Sequence, residues 1–157
     1  MTKNTMHILF VCTGNTCRSP MCEGYFRQLC KQAGQDNVTV GSAGIAAGGG
    51  APASENALGV MRQMGIEMAR FRNTQLTEEL LDQADLVIAM TDRHRQHIAA
   101  IDRRFLDKTK LLMEFSDDGH GDVADPFGGA PEEYRECFDQ MKKALDNLFL
   151  DLCHNIK

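Results

Sequence analysis

Apolar residues in this chain fall into four short unbroken runs, separated by longer stretches with helical spacing. The runs are His7–Val11 (HILFV), Val38–Gly41 (VTVG), Leu86–Met90 (LVIAM) and Lys110–Met113 (KLLM). A run without polar alternation reads as a strand covered on both faces, the signature of a parallel sheet. Helical patterns occupy Met21–Gln32, Ser54–Met64, Glu78–Gln83, Thr91–Ala100 and Glu132–Leu152. Ser19-Pro20 reads as the cap of the first helix and Thr77 as the cap of the third. Residues 44–53, rich in Gly, Ala and Pro, form one loop, expected to rim a pocket; Ser116–Pro131 form another. Strands alternating with helices imply right-handed crossovers and helices on both faces of the sheet. The expected fold is an α/β three-layer sandwich around a four-stranded parallel sheet, built as one domain over residues 1–157.

Such sheets bind ligands beyond the strand C-termini, and the first strand runs into Val11-Cys-Thr-Gly-Asn-Thr-Cys-Arg-Ser-Pro20. The loop places a thiol, Cys12, between a strand and the N-terminus of a helix. Unpaired amides and the positive helix end there attract a tetrahedral anion. Thr13, Gly14, Asn15, Thr16 and Cys17 supply the loop backbone. Gly14 permits close approach to the anion, and Asn15 tolerates a left-handed turn. Arg18 offers a planar fork to two oxygens of the anion. Ser19 can donate to the Cys12 sulfur. A cysteine so placed is expected to ionise near or below neutrality. The loop therefore reads as a phosphate cradle with a nucleophile beneath it.

A nucleophile also needs a proton donor for its leaving group. Asp125, in GDVADPFGG at 121–129, is the leading candidate. Pro126 restricts its backbone, and the following glycines let the loop fold over a pocket. Asp122 is the rival carboxylate, with Asp117 and Asp118 behind it. Phe127 is a candidate pocket wall, able to face a phenol or a guanidinium plane.

Composition narrows the classes. A net charge of −5 argues against a general nucleic-acid binder. No apolar run reaches the length of a membrane span, and the N-terminus lacks a signal-peptide pattern. The expectation is a cytoplasmic protein with its six cysteines mostly reduced. Cys22, Cys30, Cys137 and Cys153 form no zinc-ligand pairs and read as buried small residues. His94 and His97 share a helical face flanked by Arg93, Arg95 and Gln96, which reads as solvated. No metal or cofactor is expected.

Four segments together, VCTGNTCRSPM at 11–21, Ser42-Ala-Gly44, LTEELLDQADLVIAM at 76–90 and DPFGG at 125–129, resemble the low-molecular-weight protein tyrosine phosphatase family over essentially the whole chain. The resemblance implies attack by Cys12 on phosphorus, a phosphocysteine intermediate, and Asp125 acting first as acid and then as base. It implies Arg18 and the loop amides as phosphate ligands, and Asn15 with Ser42 as a supporting hydrogen-bond network. It also implies a reversible disulfide between Cys12 and the neighbouring Cys17. In finer detail the chain is similar to the bacterial protein-arginine phosphatase branch. Its Thr16 stands where tyrosine-directed members carry an apolar residue. The implied substrates are phosphorylated proteins, phosphoarginine first and phosphotyrosine second, handled by a monomer. One departure stands out: many members place a supporting His shortly before the segment matching Leu76-Thr77, where spacing puts Phe71 between Arg70 and Arg72.

Other classes fit less well. Thiol-dependent arsenate reduction needs relay cysteines in mid-chain, and none lies between Cys30 and Cys137. A phosphocysteine carrier or a phospho-ligand binding module has no use for both Arg18 and Asp125.

Overall fold

The computed structural model describes residues 5–155; positions 1–4, 156 and 157 of the expected domain lie outside the described residues. Four parallel strands form one sheet in the order β2-β1-β3-β4. They are β1 (Met6–Cys12), β2 (Val38–Gly44), β3 (Leu86–Ala89) and β4 (Thr109–Leu111). Strand β1 pairs with β2 from Met6↔Val38 to Cys12↔Gly44, and with β3 from Ile8↔Leu86 to Val11↔Ala89. The helices are α1 (Arg18–Gln32), α2 (Glu55–Gln63), α3 (Glu78–Gln83), α4 (Asp92–Ile101) and α5 (Pro131–Asn155).

Alternation along β1 divides the core. Ile8, Phe10 and Cys12 face α1, α2 and α5, joining Met21, Phe26, Val60, Phe138, Met141 and Leu145. Leu9 and Val11 face the other way, toward Leu81 of α3 and Ile98 of α4. Because both faces are buried, the strands read as unbroken apolar runs. The expected three-layer architecture is what the chain adopts, with Cys12 at the last position of the central strand β1.

Element boundaries differ from the sequence reading by up to three residues. Helix α1 begins at Arg18, not Met21, with Cys17 as its N-cap and no side-chain cap bond. Ser19 is already helical and its hydroxyl is turned to Cys12, so it is not the cap. Strand β4 ends at Leu111, because Glu114 Oε2 accepts the Leu111 amide at 2.7 Å and winds Leu112–Phe115 into a 3-10 turn. Strand β2 runs on to Gly44, three residues beyond the expected end. The Thr77 cap forms as read, its side chain accepting the Leu80 amide at 3.2 Å.

Candidate active site

Beyond the C-terminal end of β1 lies a cavity of about 200 Å³, lined by Cys12, Thr13, Gly14, Asn15, Thr16, Cys17, Arg18, Asp125 and Phe127. The loop between β1 and α1 and the DPFGG segment, more than a hundred residues apart in sequence, thus share one hollow. Ser19 and Ser42 do not line it and lie behind the loop. The 44–53 loop was expected to rim the hollow, yet none of its residues lines it. It braces the phosphate loop from below, the Ser54 amide that follows it donating to Thr16 O at 2.9 Å and the Ala46 amide to Thr13 O at 2.9 Å.

Asn15 holds the loop in shape. It is fully buried and left-handed, with φ of 55°. Its Oδ1 accepts the Thr74 amide at 2.9 Å, which fixes the amide's orientation. Its Nδ2 donates to Ser19 Oγ at 2.7 Å and Ser42 Oγ at 2.9 Å. Ser42 Oγ donates in turn to Glu23 Oε1 at 2.6 Å, and Glu23 Oε2 accepts from Arg27 at 2.7 Å. Glu23 was missed in the sequence. The signal was there: a carboxylate four residues after Ser19, on a helical stretch otherwise apolar at Met21, Cys22, Tyr25 and Phe26.

The loop support for which the resemblance would place a histidine near Phe71 comes here from Asn73 and Thr74. Asn73 Nδ2 donates to Gly14 O at 3.0 Å and Ala47 O at 2.9 Å, while its Oδ1 accepts the Ala51 amide at 2.7 Å. Gly44 completes the fit: a Cβ there would collide with Thr13 O and lie 2.9 Å from the Asn15 nitrogen.

Cys12 is 2 % exposed, with Sγ 2.8 Å from Ser19 Oγ. Burial pushes its thiol up, against the Ser19 hydroxyl, the Ser19 amide, the Arg18 charge and the Asn15 amide, which all pull it down. Burial acts on the thiol against these donors, whereas the reading of the loop counted the donors alone. Arg18 is buried as well. Its Nη1 donates to Val123 O at 2.8 Å, and its Nη2 lies 3.4 Å from Thr13 Oγ1 and 3.5 Å from Asp125 Oδ2. Its Nε is buried without a hydrogen-bond partner among the described residues. A buried guanidinium N–H left unpaired beside the cavity fits a site built for an anion.

Asp125 is half exposed and accepts the Phe127 amide on Oδ1 at 3.1 Å. The rivals are occupied elsewhere: Asp122 Oδ1 accepts the Asp92 amide at 2.9 Å, and Asp117 pairs with Lys143 at 2.9 Å. Phe127 is 74 % exposed at the rim. Cys17 Sγ lies 3.2 Å from Tyr134 Oη and 3.6 Å from Ser54 Oγ. His94 is the clearest miss, because it is 2 % exposed instead of solvated. It sits in the first turn of α4, where the helix enters under the phosphate loop. Its charged neighbours, the exposed Arg93 and the half-buried Arg95, hide that burial from the sequence.

These features define a cysteine-and-arginine anion site on a parallel α/β sheet. A sequence profile of the Low molecular weight phosphotyrosine protein phosphatase family matches residues 7–157, and the chain belongs to that family. It is 43% identical over 143 residues to the protein-arginine-phosphatase of Bacillus subtilis, covering 91% of this chain and 94% of that one. A solved arginine phosphatase variant with a phosphorylated active-site serine matches with a TM-score of 0.90 at 40% identity, over 97% of this chain and 100% of that chain. The low molecular weight protein-tyrosine-phosphatase PtpB of Staphylococcus haemolyticus is 34% identical over 144 residues, 91% of this chain and 97% of its own.

Proposed function

We propose that this chain is a cysteine-dependent phosphoprotein phosphatase that prefers protein phosphoarginine. The observation that carries the reading is the single hollow that gathers Cys12, Arg18, Asp125 and Thr16. The Cys12 thiolate attacks phosphorus and the P–N bond breaks, while Asp125 gives its proton to the departing guanidine nitrogen. Asp125, now a base, takes a proton from water as the water oxygen attacks the phosphocysteine. The P–S bond breaks, inorganic phosphate leaves, and Ser19 receives the restored thiolate. Arg18 and the amides of residues 13–17 hold the transferred oxygens throughout. No step calls for a metal or cofactor. The relatives named as arginine phosphatases support the substrate assignment. Thr16 supports it chemically, since a hydroxyl on the wall suits a polar guanidine better than an apolar residue would.

Phosphotyrosine is the second reading, favoured by the exposed Phe127 ring at the rim, which can stack on a phenol, and by the relatives named for that activity. The deciding measurement is kcat/KM on matched phosphoarginine and phosphotyrosine peptides, with Cys12→Ser as blank. The expected outcome is about a hundredfold preference for phosphoarginine, or roughly 2.7 kcal/mol in the transition state. Thr16→Ile should move the ratio toward phosphotyrosine. An unchanged ratio removes Thr16 from the specificity argument.

The same reading takes residues 1–157 as one phosphatase domain acting as a cytoplasmic monomer on phosphorylated proteins, without nucleic-acid or membrane partners. Among the described residues only Phe127 and Leu150 are large exposed apolar side chains, which supports the monomer. No helix among them is long and apolar enough to cross a membrane. Cys12 and Cys17 are both free thiols on the wall of the hollow, which supports a redox-sensitive nucleophile.

A further inference from the structure

His94 has no part in the chemistry above, yet it is buried against the machinery that performs it. Its Nδ1 lies 3.0 Å from Thr91 Oγ1, and the same hydroxyl caps α4 by accepting the His94 amide at 3.2 Å. Its Nε2 lies 2.8 Å from Thr13 Oγ1, and Thr13 Oγ1 accepts from Arg18 Nη2 at 3.4 Å. Thr13 is itself exposed on the rim. Without an anchor, its side chain would turn freely to water, and Arg18 would lose that acceptor. The imidazole clamps an exposed threonine from its buried side. Two residues away, the Asp92 amide donates to Asp122, and the Val123 amide donates to Met90 O at 2.9 Å. The start of α4 therefore touches both the phosphate loop and the segment that carries Asp125.

We propose that His94 is a positioning residue of the phosphate loop, holding Thr13 between α4 and Arg18 so that the guanidinium is fixed for the incoming phosphoryl group. The role rests on the reading of the hollow as a phosphatase site. The charged groups that face the imidazole are Arg18 from α1, Arg93 on its own helix, and Asp122 and Asp125 from the acid loop. A proton on the ring would set a second cation against Arg18. Burial and Arg18 oppose that proton and push the imidazole down to about 4, so near neutral pH the clamp keeps its uncharged form.

The test is a cycle of His94→Phe, Thr13→Val and the double variant. It reads the inhibition constant of inorganic phosphate, with kcat and KM on p-nitrophenyl phosphate and thermal unfolding alongside. One polar contact is at stake, so each single variant is expected to weaken phosphate about tenfold. The double variant is expected to lose no more than either single, since both break one chain of contacts. His94→Gln, which keeps an amide near the Nε2 position, is expected to recover most of the loss. Additive losses, or equal losses in His94→Phe and His94→Gln, would overturn the role, as would unchanged phosphate affinity. If His94→Phe does not fold, the same cycle with His94→Gln and Thr13→Val decides: Thr13→Val must weaken phosphate while His94→Gln largely does not. The two readings fail separately. No turnover by the unaltered chain removes the phosphatase reading, whereas additive losses with turnover intact remove only the role of His94.

Discussion

Ser19 Oγ stands 2.8 Å from Cys12 Sγ, and the Asn15 side chain holds that same serine oxygen from behind at 2.7 Å. Asn15 Nδ2 donates to Ser19 Oγ, filling an acceptor position and leaving the serine proton for the sulfur. Asn15 cannot turn over, because its Oδ1 is taken by the Thr74 amide. A thiolate carries no proton, so against an ionised Cys12 the donor in this contact is Ser19.

Removing that donor has a signed consequence. Burial already pushes the Cys12 thiol up, and the Ser19 hydroxyl is the first of the groups pulling it down. Ser19→Ala is expected to raise the thiol further, so less thiolate is present at any given pH. A hydrogen bond to a charged group contributes about 1.5–3 kcal/mol, so turnover near pH 6 should fall by about tenfold or more. The pH dependence of iodoacetamide alkylation checks this: its midpoint should move upward in Ser19→Ala. A midpoint that stays put means Ser19 does not donate to Cys12.

The same chain of bonds ends at Glu23, and a prediction follows for each replacement there. A carboxylate accepts only, so it draws the Ser42 proton outward and leaves Ser42 oxygen to receive Asn15. Glu23→Ala leaves the Ser42 hydroxyl without its acceptor, while Arg27 keeps Val40 O at 2.7 Å, and a cost of about 1–3 kcal/mol in urea unfolding is expected. kcat should fall with it, because the Ser42 proton is no longer drawn away from Asn15 Nδ2, which weakens the hold of Asn15 on Ser42 and disturbs its bond to Ser19. Glu23→Gln keeps an oxygen for Ser42 and should retain most of kcat. Wild-type kcat in Glu23→Ala would show that orientation does not travel along this chain.

The sequence carried the sheet and the two loops because each rests on local chemistry. Unbroken apolar runs gave all four strands, and CTGNTCRS and DPFGG announced their roles through a thiol, a guanidinium and a carboxylate at turn positions. What stayed hidden depends on contacts distant in sequence. Nothing near Asn73 shows that its side chain will reach Gly14. Nothing near His94 shows that Thr13 will meet its ring, since Arg93 and Arg95 make the helix look solvated. Burial of Cys12 is likewise a property of the assembled core, so its thiol could not be judged from the loop alone.

Asp125 separates leaving groups. It is the only carboxylate lining the hollow among the described residues, and its half-exposed carboxyl pairs through Oδ2 with the buried Arg18 at 3.5 Å. A phosphoryl group competes with Asp125 for the Arg18 guanidinium and, on taking it, leaves the carboxyl facing the departing atom. Asp125→Asn cannot give up a proton. It is expected to cost about 10²–10⁴-fold on a phosphoarginine peptide or phenyl phosphate, and much less on p-nitrophenyl phosphate, whose phenol leaves without help. A plot of log kcat/KM against leaving-group pKa should steepen in the variant. Parallel plots would assign the acid to another group.

His94 leaves a mark on stability as well as on phosphate binding. Burial first, and Arg18 second, push its imidazole down from 6.5 to about 4. Above pH 6.5 the ring is neutral in both folded and unfolded chains, and its contribution is complete. As pH falls from 6.5 toward 4, the unfolded chain takes up a proton that the buried ring refuses, so folding loses stability. A shift of that size corresponds to a loss on the order of 3 kcal/mol, finished once the folded ring is itself protonated. His94→Gln has no such proton to take up. Urea unfolding of the two proteins at pH 7 and pH 4.5 isolates the difference, because their other titrating groups are shared. The unaltered chain should lose more stability over that interval than His94→Gln, by up to that amount. Equal losses would mean the imidazole takes its proton in the folded protein as readily as in water, and that the clamp on Thr13 is open to solvent.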